Sequence, residues 1–207
     1  MNPQQGAACI SALPVTEKLT MRKFRLTLLI SLLMAVIAMP GHADSTAPQL
    51  FPLLEVEDGD TLIVEIEGKP ERIQLLGIDA PENTHNAKFS LDLQKTGFAD
   101  EALLRLGQAA ASYLQSLVSA GQALELQADL QAKDRYGRIP AKVFNPEGRD
   151  LAEEMILGGF AVALPNETME AAYVERFDRL ERFARKKGKG LWGSDAQVMN
   201  GWYDRTR

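Results

Sequence analysis

The chain has little cysteine and little histidine. Its one cysteine, Cys9, and one of its two histidines, His42, both precede Ala43, where we expect a signal peptide to be cleaved. The part after Ala43 therefore contains no cysteine and only one histidine, His85. This excludes disulfides, a thiolate metal site and a cysteine nucleophile from that part of the chain. It also argues against a histidine-based zinc site or a Ser-His-Asp triad, because either would depend on one residue.

Other absences narrow the class of protein further. The sequence has no internal repeat, and no strand-to-helix turn carries a glycine-rich phosphate loop, which argues against a βαβ nucleotide-binding fold. Positive charge is also scarce. Residues 1–43 contain four of the 23 basic and one of the 28 acidic residues, so the remaining 19 basic and 27 acidic residues give a net charge of −8. Such a chain is not expected to bind nucleic acid tightly and non-specifically, although an enzyme can still contact phosphate through a metal and a few arginines.

The N-terminal 43 residues have the features of a targeting segment. A basic stretch over residues 21–25 precedes an apolar run from Leu26 to Met39, and small residues follow up to Ala43. The apolar run is short for a membrane span. We predict a signal peptide that is cleaved after Ala43, and hence a secreted or periplasmic protein. The alternative is an uncleaved membrane anchor, and the true start codon is either Met1 or Met21.

The remaining residues predict one folded domain. We expect a linker over residues 44–49, the domain over 50–192, and a polar tail over 193–207 whose structure the sequence does not indicate. Alternating patterns and turn residues predict five strands, at Leu50–Val56, Thr61–Ile66, Glu71–Ile78, Ala123–Leu130 and Arg138–Phe144. Helical spacing and capping residues predict helices at Leu106–Val118, from Asp150 to Gly158, and from Asn166 or Thr168 to Gly188. Five short strands with about three helices favour a five-stranded barrel of OB type, in the α+β class.

Two acidic clusters lie at the two ends of one predicted β-hairpin. Asp58 and Asp60 precede its first strand, and Asp79 and Glu82 follow its second strand. Folding the hairpin brings its ends together, so that Asp60, Asp79 and Glu82 come within reach of one hard cation. Either cluster alone is more typical of a turn or a strand end. Together they favour a metal site.

The motifs resemble those of staphylococcal-nuclease-like proteins, the thermonucleases. The similar segments keep the family's order over roughly Leu53 to Trp192: Asp58-Gly59-Asp60-Thr61, the run from Leu75 to Glu82, the run from Asp134 to Arg138, and Gly190-Leu191-Trp192. The resemblance implies an OB-fold barrel and calcium-dependent hydrolysis of phosphodiester bonds in DNA and RNA.

The resemblance also assigns roles to individual residues. Asp60, Asp79 and the backbone carbonyl of Ala80 would be ligands of Ca²⁺, with Ala80 at a position where the family usually has threonine. Glu82 matches the general base, which orients or deprotonates the attacking water. Arg138 matches one of two arginines that bind phosphate and stabilise the charge on its oxygens.

One catalytic position departs from the family pattern. The family's other arginine lies five residues before Asp79, where this chain has Gln74, so stabilisation of the transition state should weaken. Arg72 lies on the same strand face and is the candidate to substitute for the missing charge. Arg135 and Tyr136 match positions that flank the nucleotide, although Tyr136 is equally compatible with a core position.

Two functions remain open at this point. The first is an exported calcium-dependent nuclease that acts through metal-assisted attack of water and is slowed by Gln74. The second is a catalytically impaired nuclease-like OB domain that binds oligonucleotide or another partner, which Gln74 and the net acidity favour. The retained carboxylates and Arg138 favour the enzyme. For the enzyme we expect a monomer with single-stranded or frayed DNA or RNA as substrate, no stable protein partner and no membrane span after signal cleavage.

Overall fold

The computed structural model describes residues 49–167 and 169–206. The predicted signal peptide over residues 1–43 and nearly all of the predicted linker lie outside these residues. Within the described ranges, no helix is both long and apolar enough to cross a membrane.

Five strands close into a barrel. They are β1 (Leu50–Val56), β2 (Thr61–Ile66), β3 (Lys69–Leu75), β5 (Ala123–Gln127) and β6 (Ile139–Phe144). The strands follow one another in the order β1-β2-β3-β6-β5, and β5 pairs back with β1. All pairs are antiparallel except β3 with β6, which run parallel. The five-stranded barrel predicted from the sequence is therefore confirmed.

Two further short strands, β4 (Ile78–Asp79) and β7 (Val162–Ala163), pair with each other beside the barrel. The sequence had predicted a single strand over Glu71–Ile78, and this was wrong. The chain turns after Leu75, where Gly77 has a φ of +81° and a Cβ would meet the side chain of Met169 at 2.3 Å. The turn directs Asp79 away from the barrel wall and toward β7.

The barrel interior explains why these segments form strands. Alternate residues of neighbouring strands are fully buried inside it, namely Leu62, Val64, Ile73, Leu75, Ile139, Ala141 and Val143. Their intervening neighbours face outward, as strand geometry requires. Gln74 pairs with Thr61 across β2 and β3, so the open end of this hairpin places the start of β2 beside the end of β3.

The helices are more numerous than the three predicted. They are α1 (Ala87–Thr96), α2 (Asp100–Leu117), α3 (Leu151–Gly158), α4 (Ala171–Lys187), α5 (Leu191–Ser194) and α6 (Ala196–Thr206). Helix α2 begins at Asp100 rather than Leu106, and α4 begins at Ala171 rather than Asn166. The other predicted start of α4, Thr168, lies outside the described residues.

The segment predicted as a polar tail is largely helical. Met199 and Trp202 of α6 are buried in a cluster with Phe89, Leu103 and Leu106 of α1 and α2. The indole Nε1 of Trp202 also donates to Oδ2 of Asp92 in α1 at 2.8 Å. Packing on the body of the domain thus continues well beyond Trp192.

Candidate active site

The two ends of the β2–β3 hairpin meet at Asp60. Its Oδ2 accepts a hydrogen bond from the backbone N–H of Ala80 at 3.0 Å, and its Oδ1 accepts from the hydroxyl of Thr61 at 3.0 Å. Its carbonyl accepts from the N–H of Leu75 at 2.8 Å. Asp60 is therefore fixed against the segment that carries Asp79 and Glu82, as the hairpin argument predicted.

Two glycines let helix α2 pack directly against both acidic segments. A Cβ at Gly59 would lie 2.7 Å from the Cβ atoms of Ala110 and Ala80. A Cβ on Gly107 of α2 would lie 2.0 Å from the carbonyl oxygen of Glu82. Larger residues at either position would force the acidic segments away from the helix, so the close approach requires glycine.

Asp58 adds a buried carboxyl group to this cluster. It is buried, and its Oδ1 accepts from the N–H of Asp60 at 2.9 Å. Burial, and then the negative charge of Asp60, raises the pKa of Asp58 to about 8. The group therefore keeps its proton to a higher pH than an exposed carboxyl group does, and its hydrogen bond to the Asp60 N–H fixes the turn.

Lys88 of α1 reaches into the centre of the cluster. Its ammonium nitrogen Nζ lies 2.7 Å from Oδ1 of Asp79, 3.0 Å from the carbonyl oxygen of Ala80 and 2.5 Å from Oε1 of Glu82. Burial alone would lower the pKa of Lys88, but the charges of Asp79, Asp60 and Glu82 raise it above its ordinary value. The lysine is charged, and its three N–H donors match three oxygen acceptors.

Both carboxylate oxygens of Glu82 have partners. Lys88 contacts Oε1, and the side-chain amide of Asn86 donates to Oε2 at 2.5 Å. Asn86 is also the N-cap of α1, since its side-chain oxygen accepts from the N–H of Phe89 at 2.8 Å. The first turn of α1 therefore holds Glu82 from two sides.

Arg138 contacts the cluster at Thr61 and Asp60. Its Nη1 donates to the Thr61 hydroxyl at 3.2 Å and lies 3.6 Å from Oδ1 of Asp60. Its Nε donates to Oδ2 of Asp134 at 2.9 Å. Although burial opposes the effect, hydrogen bonds from the Arg138 and Tyr136 N–H groups lower the pKa of Asp134. Asp134 is thus an ionised carboxylate that orients the guanidinium group.

Comparison with known proteins fits this geometry. The family model described as "Staphylococcal nuclease homologue" matches residues 72–194, which is more than half of the chain. The chain belongs to the staphylococcal nuclease homologue family. The predicted membership of this family, and with it the enzyme class of nuclease hydrolases, is confirmed.

Individual relatives show the same similarity. The chain is 27% identical over 146 residues to a thermonuclease of Staphylococcus hyicus, covering 70% of this chain and 77% of that protein. It is 29% identical over 156 residues to an uncharacterized endonuclease of Escherichia coli, covering 75% and 84%. It is 30% identical over 149 residues to endonuclease YhcR of Bacillus subtilis, where the match covers 70% of this chain but only 11% of the relative.

Gln74 stands at the position of the missing family arginine. Its amide nitrogen donates a long hydrogen bond of 3.4 Å to the carbonyl of Leu75. Its Oε1 is buried and has no hydrogen-bond partner among the described residues. The position therefore holds an incompletely satisfied polar group, and no positive charge comes from residue 74.

Arg72 is held elsewhere. Its guanidinium group forms a two-pronged ion pair with Glu57, with Nε 2.6 Å from Oε2, and Nη1 donates to the carbonyl of Tyr136 at 3.3 Å. The structure places this arginine in contact with Glu57 rather than with the carboxylates around Lys88. Its predicted role as a substitute for the missing arginine stays a prediction that requires release from Glu57.

Tyr136 lies on the surface beside two arginines. Half of the side chain is exposed, at 50%, so it is not a core residue. The guanidinium carbon of Arg135 lies 4.8 Å from the ring centroid, and that of Arg138 lies 5.2 Å from it. Both guanidinium groups lie over the exposed ring, so a nucleic-acid base can stack on it where an arginine leaves the ring face open.

The predicted metal ligands fit a cation, but a lysine already fills that role. Asp79 and the Ala80 carbonyl, two of the three predicted ligands, both contact the ammonium group of Lys88. Oxygen donors of this kind also suit Ca²⁺. Across residues 49–167 and 169–206, however, no three acidic, histidine or cysteine side chains converge as a ready-made metal site. A divalent ion would be held by Asp60, Asp79 and Ala80 once Lys88 had withdrawn.

Lys88 and Asn86 are site residues that were not predicted from the sequence. Both lie in the stretch after Pro81 that has no clear helical period, and neither belongs to a motif that resembles the family. Local signs of α1 are present in the sequence at its two ends: Asn86 is a suitable N-cap, and Lys95 followed by Gly97 is a typical helix end.

Proposed function

We propose that this protein is an exported, calcium-dependent nuclease that hydrolyses phosphodiester bonds of DNA or RNA. The observation that supports this most directly is the hydrogen bond from the Ala80 N–H to Asp60, which also lies 3.6 Å from Arg138. The carboxylates of Asp79 and Glu82, on either side of this segment, share the ammonium group of Lys88. Membership of the nuclease family and the similarity to thermonucleases and endonucleases support the same reaction. Export follows from the signal peptide predicted over residues 1–43.

Each residue has a role in this reaction that its chemistry can perform. Glu82 accepts a proton from the attacking water, for which one of its oxygens must be free of Lys88 and Asn86. Arg138 donates hydrogen bonds to phosphoryl oxygens as their negative charge grows, and Asp134 keeps its guanidinium plane in place. A bound Ca²⁺ would polarise the phosphoryl group and neutralise part of its charge.

The surface beside Arg138 suits a single strand. Tyr136 offers an exposed ring, and Arg135 adds a positive charge next to it. Bases can stack on such a ring only when they are not stacked in a duplex, so we propose single-stranded or frayed DNA or RNA as substrate. Because the contact is through π-faces and phosphate charge, little sequence preference is expected.

A second function has one specific observation in its favour. Gln74 brings no charge to the position where the family has an arginine, and Arg72 is tied to Glu57. Loss of one donor of this kind costs about 10²–10³ in rate in other enzymes. The alternative is therefore an impaired nuclease-like domain that binds oligonucleotide or another partner and turns it over slowly or not at all.

Hydrolysis assays on the exported protein test the proposal. The full-length gene is expressed, the protein is purified from the extracellular or periplasmic fraction, and the mass of its N-terminus is measured. Cleavage of single-stranded DNA and RNA is then followed with Ca²⁺ and with chelator. The parent is compared with Glu82→Gln and with Glu101→Gln, which removes an exposed carboxylate on α2 as a control.

Calcium-dependent cleavage that Glu82→Gln abolishes and Glu101→Gln retains would support the enzyme. Binding of oligonucleotide without cleavage under any divalent ion would refute it and support the impaired domain. Recovery of the protein only in the membrane fraction with residues 1–43 still attached would refute signal cleavage, and recovery only from the cytoplasm would refute export.

A further inference from the structure

The ammonium group of Lys88 is in the position of a bound cation. It lies within hydrogen-bond distance of Asp79 Oδ1, the Ala80 carbonyl and Glu82 Oε1. Two of these oxygens belong to the predicted metal ligands, and the third belongs to the predicted general base. One side chain therefore contacts the predicted metal ligands and the predicted general base at the same time.

This contact satisfies the lysine completely. An ammonium group has three N–H donors and no acceptor, and here each donor has one oxygen. Charge-assisted hydrogen bonds of this kind are the stronger ones in proteins. The arrangement is thus a stable resting position and not a passing surface contact.

The helix that carries Lys88 is anchored independently of this contact. Phe89, the next residue, is buried against Leu103, Leu106 and Trp202. Asp92, one turn later, accepts the indole hydrogen bond of Trp202. Helix α1 can therefore stay docked while the side chain of Lys88 moves, and the 27% exposure of that side chain gives it a path to solvent.

We propose that Lys88 is a built-in competitor of the metal ion, so that cation binding and release of Glu82 are one event. When the ammonium group is in place, Asp79 and Ala80 are engaged and Glu82 is held between Lys88 and Asn86. When a divalent ion binds Asp60, Asp79 and Ala80, charge repulsion and competition for the same oxygens expel the ammonium group, and Oε1 of Glu82 becomes free. The inference rests on the proposed metal site.

The consequence for affinity follows from mass action. A ligand that binds only the open form shows an affinity reduced by the fraction of molecules that are open. If Lys88 is withdrawn in fewer than about one molecule in ten, its removal raises the apparent affinity for Ca²⁺ at least about tenfold.

Calorimetric titration with Ca²⁺ tests this without any measurement of cleavage. The full chain as exported is compared with Lys88→Met, which keeps the apolar stem and removes the charge. Lys95→Met is the matched control, because Lys95 is an exposed lysine in the last turn of the same helix. We expect Ca²⁺ to bind at least about tenfold more tightly to Lys88→Met and with unchanged affinity to Lys95→Met. An affinity of Lys88→Met within about twofold of the parent would overturn the inference.

A second measurement on the unmodified chain covers the case in which Lys88→Met does not fold. An amine-reactive reagent is applied with and without Ca²⁺, and labelled lysines are mapped by mass spectrometry. Lys88 should react slowly without Ca²⁺ and faster with it, while Lys95 reacts equally in both. Equal protection of Lys88 in both conditions would overturn the inference.

Failure of the competition between Lys88 and Ca²⁺ can be distinguished from failure of the proposed nuclease activity. A protein that binds Ca²⁺ as described but never cleaves nucleic acid would leave the competition intact and refute the nuclease. Cleavage by the parent in chelator that is lost in Lys88→Met would make the ammonium group part of the reaction itself, and would overturn the competition.

Discussion

Replacement of Trp202 should destabilise the whole domain and not merely its end. The side chain is 1% exposed and lies in the cluster that joins α1, α2 and α6. Truncation of a buried tryptophan to alanine costs about 3–5 kcal/mol, because apolar contacts are lost and a cavity remains. Since small domains are stable by about 5–15 kcal/mol, Trp202→Ala should remove a large part of the free energy of unfolding.

A second substitution separates packing from hydrogen bonding. Trp202→Phe keeps much of the buried ring and removes the Nε1–H that donates to Asp92. Removing one partner of a buried hydrogen bond costs about 1–3 kcal/mol, so Trp202→Phe should lose an amount in that range, smaller than the loss in Trp202→Ala. Phe183→Ala is the control, because Phe183 is 45% exposed on α4 and its loss should change stability by less than about 0.5 kcal/mol.

Urea unfolding followed by circular dichroism measures these differences at constant pH. A loss below about 1 kcal/mol in Trp202→Ala, with an unchanged dependence on urea, would contradict the reasoning and would mean that α6 is not part of the cooperative unit.

Three further predictions concern chemistry and pH. Glu82→Gln should lower kcat for single-stranded DNA by about 10²–10⁴, measured in Ca²⁺, because it removes the proton acceptor; an unaltered kcat would exclude Glu82 as the base. Gln74→Arg should raise kcat/KM by about 10², because it restores a charged donor, and a rate equal to that of the parent would show that the missing charge does not limit the reaction. Burial raises the pKa of Asp150 above its ordinary value. The free energy of unfolding therefore falls as pH rises from about 3.9, the pKa of this group in the unfolded chain, through its higher pKa in the folded protein. Asp150→Asn keeps the N-cap without the charge, so its stability relative to the parent should increase from about pH 4 to about pH 7; a constant difference in urea midpoints would contradict this.

The barrel could be predicted because the residue pattern within each strand is typical of a β-strand. Residues 139–144 alternate between buried and half-buried positions, residues 61–66 are rich in β-branched side chains, and turns with glycine separate the segments. The position of Asp60 close to Asp79 could be predicted from the hairpin alone, since the two residues flank one pair of strands. Hydrogen bonding of Asp60 to Ala80 agrees with that placement.

Helix α1 could not be predicted in the same way. Its buried residues are Phe89 and Asp92, and a carboxylate on the buried face obscures the apolar period. Asp92 is buried because Trp202 donates to it from 110 positions further along the chain. A contact between residues so far apart in sequence produces no pattern in the sequence around either residue. Helix α6 was not predicted for the same reason.

The role of Lys88 could not be predicted from the sequence either, because its contacts form only in the folded protein. In the sequence it is a lysine in a polar stretch and is indistinguishable from Lys95 seven residues later. Its environment comes from β4 and the segment after it, which fold against α1 only in three dimensions. Gln74, in contrast, could be recognised at once, because it interrupts a pattern that the neighbouring residues otherwise keep.

The hydrogen bond between Trp202 and Asp92 also affects the stage at which the protein can complete its folding. A chain that emerges with its N-terminus first presents β1, β2 and the acidic segments early, but the partner that holds α1 arrives 110 residues after Asp92. Contacts of such long sequence separation form late and slow the folding reaction. A chain threaded N-terminus first through a membrane channel would therefore complete the docking of α1 only after Trp202 had passed, and an incompletely docked helix suits passage through a narrow channel.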